Sequence, residues 1–242
     1  MQPKMQPIRN SQGELLDVAY HGGTRDDVLV ILGHGVTGDK DRPLLFWLAR
    51  SLADSGYPCL RMSFSGNGKS EGSFVDSNIT KEVGDLTSVM DQLGDGKKIA
   101  YIGHSMGGAV GALTAARDER IKVLVSLAGM VHTKNFCNTE FGDVTPGLGV
   151  MWEEEEFPFS QSFLDDMNHI DSTLDAAREL RVPWLLLHGL ADDIVLPSDS
   201  RDIKAVLRGP VNHVEVDGAD HSFEDHYEIV ANETKSWLEK HL

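Results

Sequence analysis

Residues 97–108 read KKIAYIGHSMGG, an apolar strand pattern that runs directly into a glycine-rich segment and then a helix pattern. The strand pattern covers 98–102 and the helix pattern covers 106–117, so a G-x-S-x-G segment lies at the turn between them. In this context the segment forms a nucleophile elbow, in which a sharp turn presents the serine hydroxyl and the glycines allow close backbone packing. The stretch predicts Ser105 as a nucleophile at the carboxyl end of a buried strand.

The rest of the chain alternates short apolar runs with amphipathic stretches, which is typical of β/α units around a mostly parallel sheet. Strands are predicted over 15–20, 28–32, 57–64, 98–102, 121–127, 184–187 and 212–216. Helices are predicted over 43–55, 79–93, 106–117, 198–207 and 224–241. The length of 242 residues suits one domain of this class. We therefore expect a single doubly wound α/β domain over residues 1–242.

A long connection follows the strand that ends at Leu127. About forty residues separate it from the next helix, near Ser172, which is more than an ordinary connection needs. We expect residues 131–171 to form a lid insertion, which carries an acidic run at 153–156. Its aromatic side chains are Phe136, Phe141, Trp152, Phe157, Phe159 and Phe163. These rings either pack a small core of the lid or contact a substrate.

A serine nucleophile needs a base within hydrogen-bond reach, and histidine is the expected one. His221 lies in GADHSF (218–223), a loop between the last predicted strand and the last helix. Loops at the carboxyl ends of strands are where sites assemble in open α/β sheets. The orienting acid is expected at the end of the penultimate strand, where HGLADDIVLP (188–197) offers both Asp192 and Asp193.

Catalysis by such a set also needs two backbone N–H groups for the oxyanion of the tetrahedral intermediate. The N–H of Met106, directly after the nucleophile, is one candidate. The other is the N–H of Val36 in the loop GHGVTG (33–38), where glycines let the backbone turn inward. The alternative for this loop is a plain turn. Together with Phe136 and Trp152 of the lid, His34 of the same loop is a candidate for substrate contact.

Taken together, these motifs resemble the α/β-hydrolase superfamily. The HG-x-x-G loop, FSGNGKSEG (64–72), GHSMGG, HGLADDIVLP and GADHSF follow the superfamily's order over nearly the whole chain. The resemblance implies the α/β-hydrolase fold with an eight-stranded sheet, and it implies a triad of Ser105, Asp192 and His221 without metal or cofactor. It favours Asp192 over Asp193, because its spacing from Gly189 and Val195 is the one that the family uses.

A narrower resemblance concerns HGVTGDK (34–40), FSGNGKSEGSF (64–74) and the short lid, which are most similar to small esterases that include feruloyl and cinnamoyl esterases. One departure is that such relatives often have Asp before the FSGNG-like segment, where this chain has Arg61-Met62-Ser63. The departure leaves the triad untouched, and it bears only on the choice of subfamily.

Charge and cysteine usage restrict partners and location. Asp and Glu number 38 against 22 Lys and Arg, for a formal net charge of −16, which repels phosphate backbones and anionic lipid surfaces. We expect neither nucleic acid nor membrane as a partner. Cys59 in a predicted strand and Cys137 in a loop-rich insertion do not suggest a disulfide framework. The first residues lack an apolar signal core, so we expect a cytoplasmic protein.

The reaction that fits these residues is hydrolysis of a small carboxylic ester through an acyl-enzyme at Ser105. An aromatic lid suits a hydrophobic or phenolic acyl group. An acyl thioesterase and an amidase or peptidase would use the same triad. A noncatalytic ligand-binding protein is a further alternative, but it would have no need for the complete set of triad and oxyanion residues.

Overall fold

One sheet runs through the residues that the structure describes, which are 6–242 of a computed structural model. Its seven strands are β1 (Val18–His21), β2 (Val28–Gly33), β3 (Cys59–Met62), β4 (Lys98–His104), β5 (Ile121–Leu127), β6 (Trp184–Gly189) and β7 (Val211–Val216). The spatial order is β1-β3-β2-β4-β5-β6-β7. Only β1 runs antiparallel, against β3, and each other neighbouring pair is parallel. The expectation of a mostly parallel, doubly wound sheet is confirmed.

The expected strand count of eight was wrong for the described residues, which form seven strands. An eighth strand would have to pair outside β1, but the segment before β1 contributes only an isolated bridge between Arg9 and Leu15. The N–H groups of Leu15 and Asp17 donate to the side chains of Glu71 and Ser70, at 2.8 Å each. Because these donors are bound to loop side chains, the strand predicted from residue 15 begins only at Val18.

Eight α-helices connect the strands within residues 6–242. They are α1 (Pro43–Asp54), α2 (Ile79–Leu93), α3 (Met106–Ala115), α4 (Thr133–Phe141), α5 (Gln161–Ile170), α6 (Leu174–Glu179), α7 (Ser198–Val206) and α8 (Tyr227–His241). Local sequence explains several starts. Proline stands at the first position of α1, and the side chain of Asn78 caps α2 by accepting the Lys81 N–H at 2.8 Å. Ser160 caps α5 in the same way.

The two faces of the sheet carry separate hydrophobic cores. Along β4, Ala100 and Ile102 face α1 and α8, whereas Ile99 and Tyr101 face α2 and α3. This alternation follows from the period of two in a strand. Since both faces are covered, the strands in the middle of the sheet are apolar along almost their whole length, and β2 (VLVILG) is buried at every position.

The insertion 131–171 is more helical than its composition suggested. It contains α4, α5 and a single 3-10 turn at Met151–Glu153. Cys137 therefore lies buried on a helix rather than in a loop. Phe141 is the centre of its core, with the rings of Phe136, Trp152, Phe159 and Phe163 packed around it at centroid distances of 4.9–6.3 Å.

No helix among residues 6–242 is both long and apolar enough to cross a bilayer. The loops that leave the carboxyl ends of β2, β4, β6 and β7 meet along one edge of the sheet. In the strand register Gly33 at the end of β2 pairs with Gly103 of β4, and Gly189 at the end of β6 pairs with Val216 of β7. That edge brings together the motifs that the sequence separates by more than a hundred residues.

Candidate active site

Ser105 occupies the sharp turn between β4 and α3. Its backbone angles are φ 55° and ψ −123°, in a region that side-chain-bearing residues rarely adopt. Neighbouring backbone holds this conformation from both sides. The Ser105 N–H donates to the carbonyl of Leu127 at 3.0 Å, and the Ser105 carbonyl accepts from Met130 N–H at 3.0 Å. The end of β5 thus fixes the strained turn that presents the hydroxyl.

Glycines around the turn are required by close contacts. A Cβ on Gly103 would collide with the carbonyl oxygen of Gly107, and a Cβ on Gly107 would lie 2.6 Å from the carbonyl oxygen of His34. A Cβ on Gly35 would lie 2.9 Å from Ser105 Oγ. The glycines therefore make room both for the elbow and for the hydroxyl itself.

His221 and Asp192 are hydrogen-bonded, with 2.8 Å between His221 Nδ1 and Asp192 Oδ2. A carboxylate only accepts, so Nδ1 carries the proton and Nε2 is left as the basic nitrogen. Ser105 and His221 line the same cleft. No hydrogen bond joins their side chains in the described part of the chain, and such bonds commonly tighten only when substrate binds. Asp193, the alternative acid, is exposed and takes no part in this pair.

The Asp192 carboxylate is buried, with 4% of the residue exposed. Its Oδ1 accepts the N–H groups of Ile194 and Val195 at 3.0 Å each, and His188 Nε2 lies 3.3 Å from Oδ2. Burial alone would raise the pKa of Asp192, but the hydrogen bonds from His188, His221 and Val195 outweigh it. They hold the pKa of this carboxyl well below its usual range, so Asp192 is ionised when it binds His221.

The loop after β2 orients the N–H of Val36. The carbonyl of Gly35 accepts from His34 Nδ1 at 2.8 Å and from Gly38 N–H at 3.0 Å. In a planar trans peptide the N–H points opposite to the carbonyl, so the N–H of Val36 is turned away from these two donors. Val36 lines the cleft. Met106 is the first residue of α3, and neither amide donates to an acceptor within residues 6–242.

Two of the three predicted substrate contacts were wrong. His34 is fully buried, and its Nε2 accepts the Phe64 N–H at 3.0 Å while Nδ1 binds the Gly35 carbonyl. Burial lowers the pKa of His34 to about 4, so the ring is neutral and supports the loop instead of touching a ligand. Phe136 is buried against Phe141 in the insertion's core and does not line the cleft.

Trp152, the third candidate for substrate contact, lines the cleft. Its Nε1 donates to Glu140 Oε2 at 2.8 Å, and its ring packs on Phe141, 4.9 Å between centroids. The cleft has a volume of about 480 Å³. Further lining residues, which the sequence interpretation missed, include Arg42, Pro43, Leu44, Glu154, Ile194, Glu224 and Tyr227. The only sequence signal for them is that each lies within a few residues of a motif loop or of the insertion's tip.

His104, which directly precedes the nucleophile, supports the loop that carries His221. Its Nε2 donates to the main-chain oxygen of His221 at 2.9 Å, and the two rings lie 4.8 Å apart. Burial, together with the neighbouring His221, lowers the pKa of His104 to about 3. A neutral ring thus holds the backbone of the loop that carries the base.

Within the part of the chain that the structure describes, no group of three or more His, Cys, Asp or Glu side chains is arranged to hold a metal ion. The polar groups of the cleft are instead those of acyl transfer: a serine in a strained turn, an imidazole with an oriented carboxylate, and two N–H groups without protein acceptors.

Comparison with known proteins finds a matching family and relatives of similar sequence. A family model described as alpha/beta hydrolase fold matches residues 28–166, more than half of the chain. Proteins named palmitoyl-protein thioesterase ABHD10, mitochondrial, are 32% identical over 155 residues in Pongo abelii and 32% identical over 152 residues in Homo sapiens. Each match takes in 58% of this chain and 49% of the relative. The chain therefore spans about half the length of these relatives.

Solved structures agree with this fold over nearly the full chain. Est1E from Butyrivibrio proteoclasticus with ferulic acid bound has a TM-score of 0.85 at 23% identity, covering 98% of this chain and 99% of that chain. Alpha/beta hydrolase domain-containing protein 10 from mouse has a TM-score of 0.82 at 19% identity, with coverages of 97% and 98%. At these identities the likeness shows the fold. With the family match over more than half its length, this chain belongs to the α/β-hydrolase family and is a hydrolase.

Proposed function

We propose that this hydrolase is a serine carboxylesterase acting on small esters through an acyl-enzyme at Ser105. One observation carries the proposal: a serine in a strained strand-to-helix turn shares a cleft with a histidine whose Nδ1 is bound to a buried, ionised carboxylate. This arrangement is the working part of a Ser-His-Asp triad. The chain order of serine, then acid, then histidine is that of the α/β hydrolases.

In the acylation step Ser105 Oγ attacks the ester carbonyl carbon while His221 Nε2 takes the hydroxyl proton. Asp192 stabilises the imidazolium that forms. The N–H groups of Val36 and Met106 bind the oxyanion, and each such donor is worth about 2.7–4 kcal/mol in the transition state. Collapse of the tetrahedral intermediate breaks the bond to the alcohol, which leaves with the proton from His221.

Deacylation repeats the same steps with water. His221 Nε2 takes a proton from water, the resulting oxygen attacks the acyl carbon, and the carboxylic acid leaves as Ser105 regains its proton. His221 transfers the proton in both half-reactions, from Ser105 to the alcohol in the first and from water to Ser105 in the second.

The cleft supports a small, partly apolar substrate. Its volume of about 480 Å³ lies in the range of small-molecule sites, and Leu44, Trp152, Ile194 and Tyr227 give it apolar walls. We propose that the insertion 131–171 serves as the lid, because Trp152 of its 3-10 turn and Glu154, directly after that turn, line the cleft. Est1E, which shares this fold, holds ferulic acid. For this chain we propose, more specifically, a substrate with a phenolic acyl group. We also propose that the protein is cytoplasmic.

An acyl thioesterase is the second candidate. It is favoured by the 32% identity to proteins named palmitoyl-protein thioesterase. Those proteins are also named mitochondrial, so a mitochondrial location is the alternative to the cytoplasmic one proposed above. The same triad attacks a thioester carbonyl with the same proton transfers. The two candidates differ in leaving group and acyl length, and therefore in the cleft walls that they need.

The test measures turnover of p-nitrophenyl esters of rising acyl length, methyl ferulate and palmitoyl-CoA by the wild type, Ser105→Ala and Ser198→Ala. Ser198 is exposed at the start of α7 and serves as the matched control. We expect ester turnover that falls more than about a thousandfold in Ser105→Ala and is unchanged in Ser198→Ala. Turnover of palmitoyl-CoA without turnover of the plain esters would replace the proposal by the second candidate. Full ester turnover in Ser105→Ala would reject both.

A further inference from the structure

A second buried histidine approaches Asp192 at Oδ2, the oxygen that also binds His221. His188 is the penultimate residue of β6, and its side chain is fully buried. Its Nε2 lies 2.8 Å from the main-chain oxygen of Val195 and 3.3 Å from Asp192 Oδ2. Its Nδ1 lies 2.7 Å from Ser200 Oγ, in the first turn of α7. The proposed reaction uses neither His188 nor Ser200.

The neighbours of His188 determine where its proton lies. A carbonyl oxygen and a carboxylate can only accept, so Nε2 must carry the hydrogen that both of them face. In the neutral form of the ring, Nδ1 is then the acceptor, and the hydroxyl of Ser200 donates to it. The hydrogen bonds therefore have one direction, from Ser200 to His188 and from His188 to Asp192 and Val195.

This chain of bonds completes the surroundings of the triad acid. Asp192 Oδ1 accepts from the N–H groups of Ile194 and Val195, and Oδ2 accepts from His221 and faces His188. Three hydrogen bonds of 2.8–3.0 Å reach this carboxylate, and His188 Nε2, which also faces the Val195 oxygen, approaches as a fourth group at 3.3 Å. A buried charge that loses one donor is destabilised and can turn toward another partner.

We propose that His188 and Ser200 are positioning residues that hold the Asp192 carboxylate in the orientation that binds His221. Ser200 acts indirectly, by keeping His188 in the tautomer that donates to Asp192. The inference rests on the proposed function, because it assigns the pair a role in a triad reaction. The hydrogen bond that His188 gives is among the causes that lower the pKa of Asp192.

The test compares Ser200→Ala, Ser200→Thr and Ser198→Ala in kcat, KM and Tm on the best p-nitrophenyl ester. Threonine keeps the hydroxyl that the proposal assigns to this position. We expect Ser200→Ala to lower kcat about tenfold with KM changed less than about twofold. Ser200→Thr should restore kcat to within about threefold of wild type. Ser198, exposed on the same helix, should have no effect.

A double-mutant cycle separates positioning from general stability. If Ser200 acts through Asp192, Ser200→Ala should cost less than about twofold in kcat when added to Asp192→Asn. A tenfold cost in that background, an unchanged kcat in Ser200→Ala alone, or a Ser200→Thr variant as slow as Ser200→Ala would each overturn the inference. His188→Gln, which keeps an N–H donor, should fall between wild type and Ser200→Ala, and a wild-type kcat in a His188→Leu variant would also overturn it.

Ser105→Ala, measured in parallel, keeps the two proposals apart. If it is inactive while Ser200→Ala is fully active, this inference fails and the proposed function stands. If Ser105→Ala keeps full turnover, the proposed function fails and takes this inference with it.

Discussion

The edge of the sheet around Ser105 and the insertion 131–171 are built by different means. At the edge, backbone meets backbone: Ser105 is held by the main chain of Leu127 and Met130, and Gly103 and Gly107 are in contact. In the insertion, side chains meet around Phe141. Geometry that depends on backbone contact tolerates few residue types, whereas an aromatic core can be filled in many ways.

The two regions also contribute different residues to the site. The edge supplies the proposed nucleophile, base, acid and oxyanion donors, whereas the insertion reaches the cleft through Trp152 and Glu154. Trp152 and Glu153, at the tip, have positive φ angles of 47° and 63°, so the segment that faces the cleft is itself strained. We infer that changes at the edge affect the chemical step, and that changes in the insertion affect which substrate is accepted.

The largest effect is expected for Asp192→Asn, which should lower kcat about 10³- to 10⁴-fold, because an amide does not hold His221 in the required tautomer. Asp193→Asn is the matched control, since Asp193 is exposed one residue away, and it should stay within about twofold of wild type. Steady-state kinetics on a p-nitrophenyl ester give both numbers. The reverse pattern would assign the acid to Asp193.

The next largest effect is expected at the centre of the insertion's aromatic core. Phe141→Ala removes the ring on which four others pack, and it should cost about 3–5 kcal/mol of unfolding free energy. Chemical denaturation monitored by tryptophan fluorescence measures this loss, and kcat on a short ester in the folded variant should stay close to wild type. A hundredfold fall in that kcat would show that the insertion contributes to the chemistry, against the division drawn above.

At the edge, Gly35→Ala places a methyl group 2.9 Å from Ser105 Oγ, which should displace the hydroxyl and lower kcat about a hundredfold. The control is Gly84→Ala on α2, where a Cβ would meet nothing within 4 Å. That variant should keep its activity and gain about 0.5–1 kcal/mol of stability. Equal activity in the two variants would mean that the close approach of Gly35 has no bearing on Ser105.

Trp152→Ala tests whether the insertion contributes to substrate specificity. We expect the ratio of kcat/KM for methyl ferulate to that for p-nitrophenyl acetate to fall about tenfold, since an aromatic wall is lost. Phe157→Ala, which removes an insertion ring outside the cleft, is the control and should leave the ratio unchanged. An unchanged ratio in Trp152→Ala would remove the tryptophan from substrate selection.

A further prediction concerns the stability of the folded state against pH. Burial lowers the pKa of His34 to about 4, so the folded state binds fewer protons than the unfolded state between this value and about 6.5. The contribution of neutral His34 to the unfolding free energy is therefore fully present above about pH 6.5. It is lost as the pH drops toward 4, on the order of 1 kcal/mol per pH unit. Unfolding of wild type and His34→Gln from pH 7.5 to 4.5 should show a shallower loss in the variant. Identical slopes would mean that His34 is not the group that is titrating.

The edge was predictable because its residue types are constrained by local geometry. The strand–Gly-His-Ser-Met-Gly–helix order predicted a turn at Ser105, which has φ 55° in the structure. The helix predicted over 79–93 and the strand predicted over 121–127 have the same bounds in the structure. The loops that end the neighbouring strands β6 and β7 predicted an acid and a histidine side by side, and the family resemblance chose Asp192, which binds His221, over Asp193.

What sequence did not reveal depends on side-chain direction and on long-range partners. The sequence places a histidine directly after β2 but does not show which way its ring points. The ring of His34 accepts a hydrogen bond from the Phe64 N–H, thirty residues away, and does not face the cleft. Phe136 and Trp152 are both insertion aromatics, and only packing around Phe141 decides which one reaches the cleft. The late start of β1, at Val18, likewise depends on distant groups, the side chains of Ser70 and Glu71, which bind the N–H groups of Asp17 and Leu15.

Covalent trapping tests the central claim most directly, namely that the elbow makes Ser105 the nucleophile. Wild type, Ser105→Ala and Asp192→Asn are incubated with a fluorophosphonate, and adducts are located by intact mass and peptide mapping. We expect one adduct per chain, on Ser105, no adduct in Ser105→Ala and much slower labelling in Asp192→Asn. An adduct on another serine, or an unlabelled wild type that still hydrolyses esters, would contradict that claim.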